Sequence, residues 1–167
     1  MDLKVLGAVE SVNDAQKRTL VDKVVARFGP DLSGRRFAVW GLAFKPGTDD
    51  MREAPSISII KGLTDRGASV CAYDPVAMTE AQRSLEKLTA VDFAASAAAT
   101  LPKADALIVV TEWKEFRSPD FDQLRKDLLQ PVIFDGRNIF DPALMHAMGI
   151  EYYGVGRPQP RAAQPTA

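Results

Sequence analysis

Three positively charged residues, Lys45, Arg52 and Arg137, stand in polar segments that closely follow apolar runs of the chain. Lysine and arginine in such positions can bind phosphate or carboxylate oxygens, lysine as a point charge and arginine through its two-pronged guanidinium. Phe44 and Trp113 could supply an apolar wall beside a bound molecule. The formal net charge is only -1, so these cations would act locally and not through a general positive field. The pattern indicates a site for a phosphate-bearing, nucleotide-like ligand.

Acidic residues near these cations have interpretations that need no ligand. Asp49, Asp50 and Glu53 could neutralise Arg52 within its own loop, or favour the start of the following helix through the helix dipole. Asp74 follows the second predicted strand, where dinucleotide-binding folds hold a ribose. A proline comes directly after it, so a turn is the preferred interpretation. A structural role is therefore at least as well supported as a ligand role for the acids.

Residue types that commonly carry covalent or metal chemistry are scarce. The single cysteine, Cys71, lies within an apolar run and is expected to be a buried structural thiol. The single histidine, His146, is expected to be exposed or at the edge of the core. The segment Gly41-x-Ala43-x-x-Pro46 follows a strand but lacks two of the small residues of the dinucleotide fingerprint. No catalytic residue and no metal site are predicted in this chain.

The elements that must position the cations alternate along the chain. Of its 167 residues 46% are hydrophobic and 26% are charged, which is typical of a globular protein. Alternating strands and helices predict an α/β fold, an open doubly wound parallel sheet of five to six strands with helices on both faces, Rossmann-like. Strands are predicted at 37–43, 70–73, 91–93, 106–110, 132–134 and, at an edge, 152–155. Helices are predicted up to residue 28 and at 55–63, 79–88, 94–100, 119–129 and 142–148.

Local signals predict where several helices begin and end. Capping-box patterns occur at residues 13–16 and 79–82. Pro55 suits the first turn of a helix, and Gly67 suits the cap at its end. In an open parallel sheet the ligand lies outside the carboxyl ends of the strands, near the point where the strand order reverses. The three cation-bearing or aromatic segments after the first, fourth and fifth strands are therefore predicted to converge there.

Five motifs together resemble a known family. They are the run from Gly41 to Ser56, then Tyr73-Asp-Pro75, Ala104-Asp-Ala-Leu107, Thr111-Glu-Trp113 and Asp135-Gly-Arg-Asn138. In order and spacing they resemble the C-terminal UDP-binding domain of the UDP-glucose/GDP-mannose dehydrogenase family, and within it the UDP-glucose 6-dehydrogenases. The resemblance covers residues 8–157. It implies the end of an interdomain region with a leading helix at 1–30, a UDP-binding α/β domain at 31–157 and, by composition, a disordered tail at 158–167.

The resemblance also implies an activity for a complete protein. Such an enzyme oxidises UDP-glucose to UDP-glucuronate in two successive steps, reduces two NAD and forms a homodimer. NAD would be bound mainly by an N-terminal domain, and the catalytic cysteine would lie upstream of the residues present here. Cys71 does not match that cysteine's motif, so the chain alone is expected to be inactive.

By motif position the resemblance assigns ligand contacts to four residues. Phe44, Lys45 and Arg137 would contact the UDP-sugar, and Arg52 would reach NAD across a domain cleft. The alternatives are a domain of a UDP-N-acetylmannosamine or GDP-mannose dehydrogenase, or a non-catalytic nucleotide-binding module.

Composition also bears on partners and location. The charge balance gives no general field for nucleic acid or an anionic membrane, and no apolar run approaches the roughly 18 residues of a membrane span. The expected partners are UDP-glucose or UDP and a second copy of the protein, with no nucleic acid and no membrane. A cytoplasmic location is expected.

Overall fold

One parallel sheet of six strands organises residues 17–156, the part of the chain that the computed structural model describes. The strands are β1 (Arg36–Trp40), β2 (Ser69–Tyr73), β3 (Val91–Phe93), β4 (Ala106–Val109), β5 (Val132–Asp135) and β6 (Glu151–Gly154). The helices are α1 (described over 17–28), α2 (Pro55–Thr64), α3 (Met78–Ser84), α4 (Phe121–Asp127) and α5 (Pro142–Ala147). Single 3-10 turns lie at Ala98–Thr100 and Lys114–Phe116.

The strand order is β3-β2-β1-β4-β5-β6, and every neighbouring pair is parallel. Successive residues of the central strands point into two different core layers, as Val39 and Trp40 of β1 do. α1, α2 and α3 cover one face, and α4 and α5 cover the other. The predicted doubly wound α/β fold is confirmed. The order reverses between β1 and β4, so the carboxyl ends of these two strands mark the expected place for a ligand.

The end of α1 packs closely against the sheet. Phe28 makes an edge-on contact with Phe37 of β1, the ring centroids lying 5.5 Å apart. Arg27 donates from Nε to Glu151 of β6 at 2.5 Å and from Nη2 to Gln130 at 3.0 Å. The part of the predicted 1–30 segment that the structure describes therefore contacts both β1 and β6. The proposed domain boundary at residue 30 stays a prediction, and the capping box at 13–16 and the tail at 158–167 lie outside the described residues.

The signals at α2 predicted its ends correctly. Pro55 is the first residue of α2. After the helix Gly67 adopts a φ of 97°, its N–H donates to the Thr64 carbonyl at 3.0 Å, and the Ala68 N–H donates to the Leu63 carbonyl at 3.2 Å. This pair of bonds is the Schellman arrangement that glycine favours at a helix end.

The capping box predicted at 79–82 is wrong. α3 begins at Met78, and Ala77 before it supplies no side-chain cap. Instead the carboxylate of Asp74 accepts the Ala77 N–H at 2.8 Å. The helix starts earlier than predicted because a side chain from the end of β2 caps it.

Several elements are shorter than predicted. β1 ends at Trp40, because Gly41 turns the chain with a φ of 90°. The predicted helix at 94–100 is only the 3-10 turn at Ala98–Thr100, and that at 119–129 is α4, capped by Asp120 through the Gln123 N–H. No helix within residues 17–156 has the length and apolar character that crossing a bilayer requires.

Candidate ligand site at the carboxyl edge of the sheet

The loop after β1 is fixed to its neighbours by two buried hydroxyl groups. Ser56, in the first turn of α2, donates to the Leu42 carbonyl at 2.6 Å. Thr111, just beyond β4, donates to the Ala43 carbonyl at 2.7 Å. The segments after β1 and β4 therefore meet at the switch point, as predicted.

Gly41 allows this close approach of the two loops. A Cβ at this position would lie 2.6 Å from the Thr111 backbone nitrogen and 2.8 Å from its carbonyl oxygen. The φ of 90° is also one that residues with a Cβ rarely adopt. Glycine is thus required at the point where the chain leaves β1.

The carboxylate of Asp74, 1% exposed at the end of β2, holds the same loop from the other side. Its Oδ2 accepts the N–H groups of Leu42 at 2.8 Å and Ala43 at 3.0 Å, and the indole Nε1–H of Trp113 at 3.0 Å. Its Oδ1 accepts N–H groups of the turn that follows, including Val76 at 2.9 Å. The preferred interpretation of Asp74 as a turn residue is confirmed. The same carboxylate also accepts hydrogen bonds from the loops after β1 and β4.

A second buried carboxylate, Asp135 at the end of β5, shapes the loop that carries Arg137. Asp135 Oδ1 accepts the Arg137 N–H at 3.0 Å, and its Oδ2 accepts the Ile139 N–H at 2.8 Å. The Tyr152 hydroxyl of β6 also donates to Oδ2 at 2.7 Å. Asn138 adopts a φ of 54° and bonds Val155 through its amide. The Arg137 backbone is therefore held in place by β5, β6 and its own loop.

Arg137 forms an ion pair with Glu112, which joins the loops after β4 and β5. The guanidinium donates from Nε to Glu112 Oε2 and from Nη2 to Oε1, the second bond measuring 2.8 Å. Hydrogen bonding from Arg137 lowers the pKa of the Glu112 carboxyl and raises that of the guanidinium. The Arg137 side chain is 42% exposed, and its Nη1 has no hydrogen-bond partner within residues 17–156. One edge of the guanidinium thus faces away from Glu112.

Arg52 is more exposed than Arg137, with 90% of its side chain accessible against 42%. It pairs with Asp50, donating from Nε and from Nη2 at 3.1 Å each. This hydrogen bonding lowers the pKa of the Asp50 carboxyl. Arg52 lines an open depression together with Glu80 and Ser84 of α3. It therefore lies toward the β2 side of the switch point, whereas Arg137 lies on the β5 side.

Phe44 and Lys45 project from the fixed start of the β1 loop. The Phe44 N–H donates to the Asp50 carbonyl at 2.8 Å, but its side chain is 47% exposed and belongs to neither core layer. Lys45 is also exposed. Trp113, the other predicted wall residue, is half-buried against both core layers with its indole held by Asp74. Trp113 therefore belongs to the frame of the site, meaning the hydrogen-bonded side chains that hold its loops in place. Phe44 is exposed and is available to a ligand.

The remaining chemistry-bearing residues lie where the sequence predicted. Cys71 is a buried free thiol in β2, and burial raises its pKa. His146 is exposed on α5. No group of three or more histidine, cysteine, aspartate or glutamate side chains in the described part of the chain is arranged to hold a metal ion.

Sequence reasoning assigned no individual role to four residues that fix the loops, although all of them lie in the motifs quoted above: Asp135, Glu112, Ser56 and Thr111. A usable signal exists for Asp135, since it directly follows an apolar strand just as Asp74 does. No local pattern reveals the Glu112 ion pair with Arg137, because the two residues are brought together only by the pairing of β4 with β5.

Comparison with known proteins identifies the family. The model of the "UDP-glucose/GDP-mannose dehydrogenase family, UDP binding domain" matches residues 38–142. A UDP-glucose 6-dehydrogenase of Pseudomonas aeruginosa is 45% identical over 164 residues, which is 95% of this chain and 36% of the relative. One of Bacillus subtilis is 39% identical over 163 residues, 98% of this chain and 35% of the relative. The chain thus spans about a third of the length of these relatives.

Solved structures agree with this match. A UDP-glucose dehydrogenase of Pyrobaculum islandicum superposes with a TM-score of 0.68 at 34% identity, covering 80% of this chain and 28% of that one. An NDP-N-acetyl-D-galactosaminuronic acid dehydrogenase of Methanosarcina mazei gives a TM-score of 0.69 at 28% identity, covering 86% and 29%. The chain belongs to the UDP-glucose/GDP-mannose dehydrogenase family and corresponds to its C-terminal UDP-binding domain.

Proposed function

We propose that the carboxyl edge of this sheet binds the UDP part of UDP-glucose in a complete NAD-dependent UDP-glucose 6-dehydrogenase. The observation that carries the proposal is the convergence of the loops after β1, β4 and β5 at the switch point, where they present cations from a rigid frame. A diphosphate requires such local positive charge, since the chain as a whole is nearly neutral.

Phe44, Lys45 and Arg137 are the proposed contacts to the UDP-sugar. Lys45 would act as a point charge on a phosphate or sugar oxygen, and Phe44 would cover an apolar face of the ligand. Arg137 would offer Nη1 to an anionic oxygen while Glu112 keeps the guanidinium oriented.

The residues present do not fit the pyrophosphate of NAD. In dinucleotide-binding folds this group lies against backbone N–H groups just after the first strand. Here the N–H groups of Leu42 and Ala43 already donate to Asp74. We therefore propose that NAD is bound mainly by another part of the complete protein, with Arg52 reaching it from the exposed surface of this domain.

The proposed reaction converts the C6 hydroxymethyl group of UDP-glucose to a carboxylate in two successive oxidations, with two NAD reduced and one water consumed. Within this chain we assign no catalytic residue. Its proposed contribution is to bind and orient the nucleotide sugar, and Lys45 would in addition stabilise negative charge that develops on a nearby oxygen. The chain alone would then show no dehydrogenase activity.

The proposal extends to assembly and location. We propose that the complete protein is a homodimer, as the family resemblance implies, and that size measurement in solution will give twice the mass of one chain. We also propose a cytoplasmic location. The single cysteine of the chain is a buried free thiol, which suits a reducing compartment.

Calorimetric titration of the 167-residue chain tests the proposed ligand. We expect weak binding of UDP and UDP-glucose, because half of a cleft supplies only part of the contacts. GDP should bind more weakly than UDP. An absorbance assay with UDP-glucose and NAD should show no NADH. Preference for GDP would favour a GDP-mannose dehydrogenase, and binding of neither nucleotide would contradict the proposal.

A further inference from the structure

We propose that Asp74 is a positioning residue for the nucleotide site: it holds the loop that carries Phe44 and Lys45 in its binding geometry without touching the ligand. The inference rests on the proposed function, because it assigns Asp74 a part in the UDP site. Its basis is the placement of one buried carboxylate among three loops at the switch point.

The Asp74 carboxylate accepts five hydrogen bonds. Two come from Val76 and Ala77 in the turn after β2, at 2.9 and 2.8 Å. Two come from the backbone of Leu42 and Ala43 after β1, and one comes from the indole of Trp113 after β4. Because the side chain is 1% exposed, water cannot readily replace these bonds.

These bonds complete the fixation of the β1 loop. The carbonyls of Leu42 and Ala43 accept from Ser56 and Thr111, and their N–H groups donate to Asp74. All four backbone polar groups of these two residues are therefore held by side chains. Phe44 is the next residue. Asp74 therefore sets the direction in which the loop tip, Phe44 and Lys45, leaves the sheet.

Trp113 extends the influence of Asp74 to the second cation-bearing loop. Its neighbour in sequence, Glu112, holds the Arg137 guanidinium. Asp74 is thus bonded to the loop that carries Lys45 and to Trp113, which is next in sequence to the residue that orients Arg137. We assign both cations to the same ligand.

Asp105 supplies a matched comparison within the same sheet. It is 6% exposed and lies just before β4, at the opposite edge from the proposed site. Its carboxylate accepts the Arg36 N–H at 2.9 Å and an Arg35 guanidinium N–H at 3.1 Å. Replacing Asp105 disturbs a buried carboxylate but none of the loops that carry the proposed ligand contacts.

The test compares Asp74→Asn with Asp105→Asn in the 167-residue chain, titrated with UDP. Asparagine keeps the size of aspartate but turns one acceptor oxygen into an NH2 donor, so either orientation leaves at least two of the five N–H donors at position 74 unpaired. We expect the UDP Kd to rise about tenfold in Asp74→Asn and to stay within about twofold in Asp105→Asn. Equal Kd values in wild type and folded Asp74→Asn would overturn the proposal.

A double-mutant cycle with Lys45→Ala separates positioning from a general loss of stability. If Asp74 acts through the loop tip, Asp74→Asn should weaken UDP binding much less when Lys45 is already alanine. An undiminished effect of Asp74→Asn in the Lys45→Ala background would mean that Asp74 does not act through the tip, and would overturn the proposal.

Should Asp74→Asn not fold, Trp113→Phe provides the same test, because it removes one donor to Asp74 and leaves the carboxylate in place. We expect a roughly threefold rise in the UDP Kd, again diminished in the Lys45→Ala background. A Kd unchanged in folded Trp113→Phe would overturn the proposal.

Amide hydrogen exchange keeps this inference distinct from the proposed function. If the wild-type chain does not bind UDP, the assignment of the UDP site fails. Exchange of the Leu42 and Ala43 amides then decides the role of Asp74 by itself. Faster exchange at these amides in Asp74→Asn or, if that variant does not fold, in Trp113→Phe, with no change in Asp105→Asn, supports positioning of the loop; unchanged exchange overturns it.

Discussion

At the scale of single residues, we propose that the two arginines serve different ligands. Arg137 lies beside Glu112 on the β5 side of the switch point, and Arg52 lines the depression against α3 on the β2 side. In the proposed complete UDP-glucose 6-dehydrogenase, Arg137→Ala should raise the KM for UDP-glucose about tenfold or more with little effect on that for NAD. Arg52→Ala should do the reverse. Steady-state kinetics with each substrate varied in turn measure this difference, and equal losses for both substrates in both variants would contradict the assignment.

Lys45 is predicted to affect turnover as well as binding. Its ammonium is exposed at the loop tip, where the proposed sugar lies, and a cation there can stabilise negative charge that develops during oxidation. Lys45→Ala should therefore lower kcat about tenfold in addition to raising the KM for UDP-glucose. Lys103→Ala, at an exposed position before β4, is the control and should leave both parameters unchanged. An unchanged kcat in Lys45→Ala would confine Lys45 to binding.

Gly41 is predicted to be irreplaceable for steric reasons. Gly41 and Gly47 share a positive φ, 90° and 81°, but a Cβ meets nothing within 4 Å at Gly47 and lies 2.6 Å from Thr111 at Gly41. Gly47→Ala should cost about 1 kcal/mol of unfolding free energy for the backbone conformation alone. Gly41→Ala should cost a further 1 to 3 kcal/mol, roughly, for overpacking. Urea unfolding of both variants measures the difference, and equal costs would show that the contact with Thr111 relaxes freely.

At the scale of elements, the ion pair between Glu112 and Arg137 joins the loops after β4 and β5, and we expect the stability of this junction to depend on pH. The folded-state pKa of Glu112 is lowered below its ordinary value. The pair therefore stabilises the fold above the ordinary glutamate pKa, and this stabilisation is lost as pH falls through the folded-state pKa. Glu112→Gln should unfold at a lower urea concentration than wild type at pH 7, and the difference should shrink toward pH 3.

The control for this prediction is Glu86→Gln, which changes an exposed glutamate beyond α3. Its urea midpoint should stay close to that of wild type across the same pH range. A gap between Glu112→Gln and wild type that does not change with pH would mean that the ion pair does not stabilise the junction through the charge of Glu112.

Elements with a buried apolar sequence could be predicted from the sequence, whereas elements set by tertiary contacts could not. β4 is buried on both faces, so its run of apolar residues located it to within one residue. The start of α3 was misplaced for a different reason: it follows a local turn in which Asp74 accepts the Ala77 N–H three residues on, and the capping-box pattern at 79–82 does not include that turn. The alanine-rich segment 94–100 buries only Thr100 fully, so it gains too little from packing to form more than one 3-10 turn.

At the scale of the whole molecule, the strand order accounts for the site. Reversal between β1 and β4 marks the edge where ligands bind in open parallel sheets, and a buried aspartate that organises a loop follows β2 and another ends β5. The motifs in the sequence predicted the convergence of these loops and the identity of the exposed cations. The frame beneath them could not be predicted, because hydrogen bonds such as that between Thr111 and Ala43 join residues far apart in the sequence.

The measurement that most directly tests the central claim is NMR titration of the isotope-labelled chain with UDP. If UDP binds at the carboxyl edge of the sheet, the largest shift changes should fall in residues 41–54, 110–113 and 135–140, with the Trp113 indole among them. Residues at the opposite edge, such as Asp105, should stay unchanged. Shift changes confined to other surfaces, or none at saturating UDP, would contradict the proposed site.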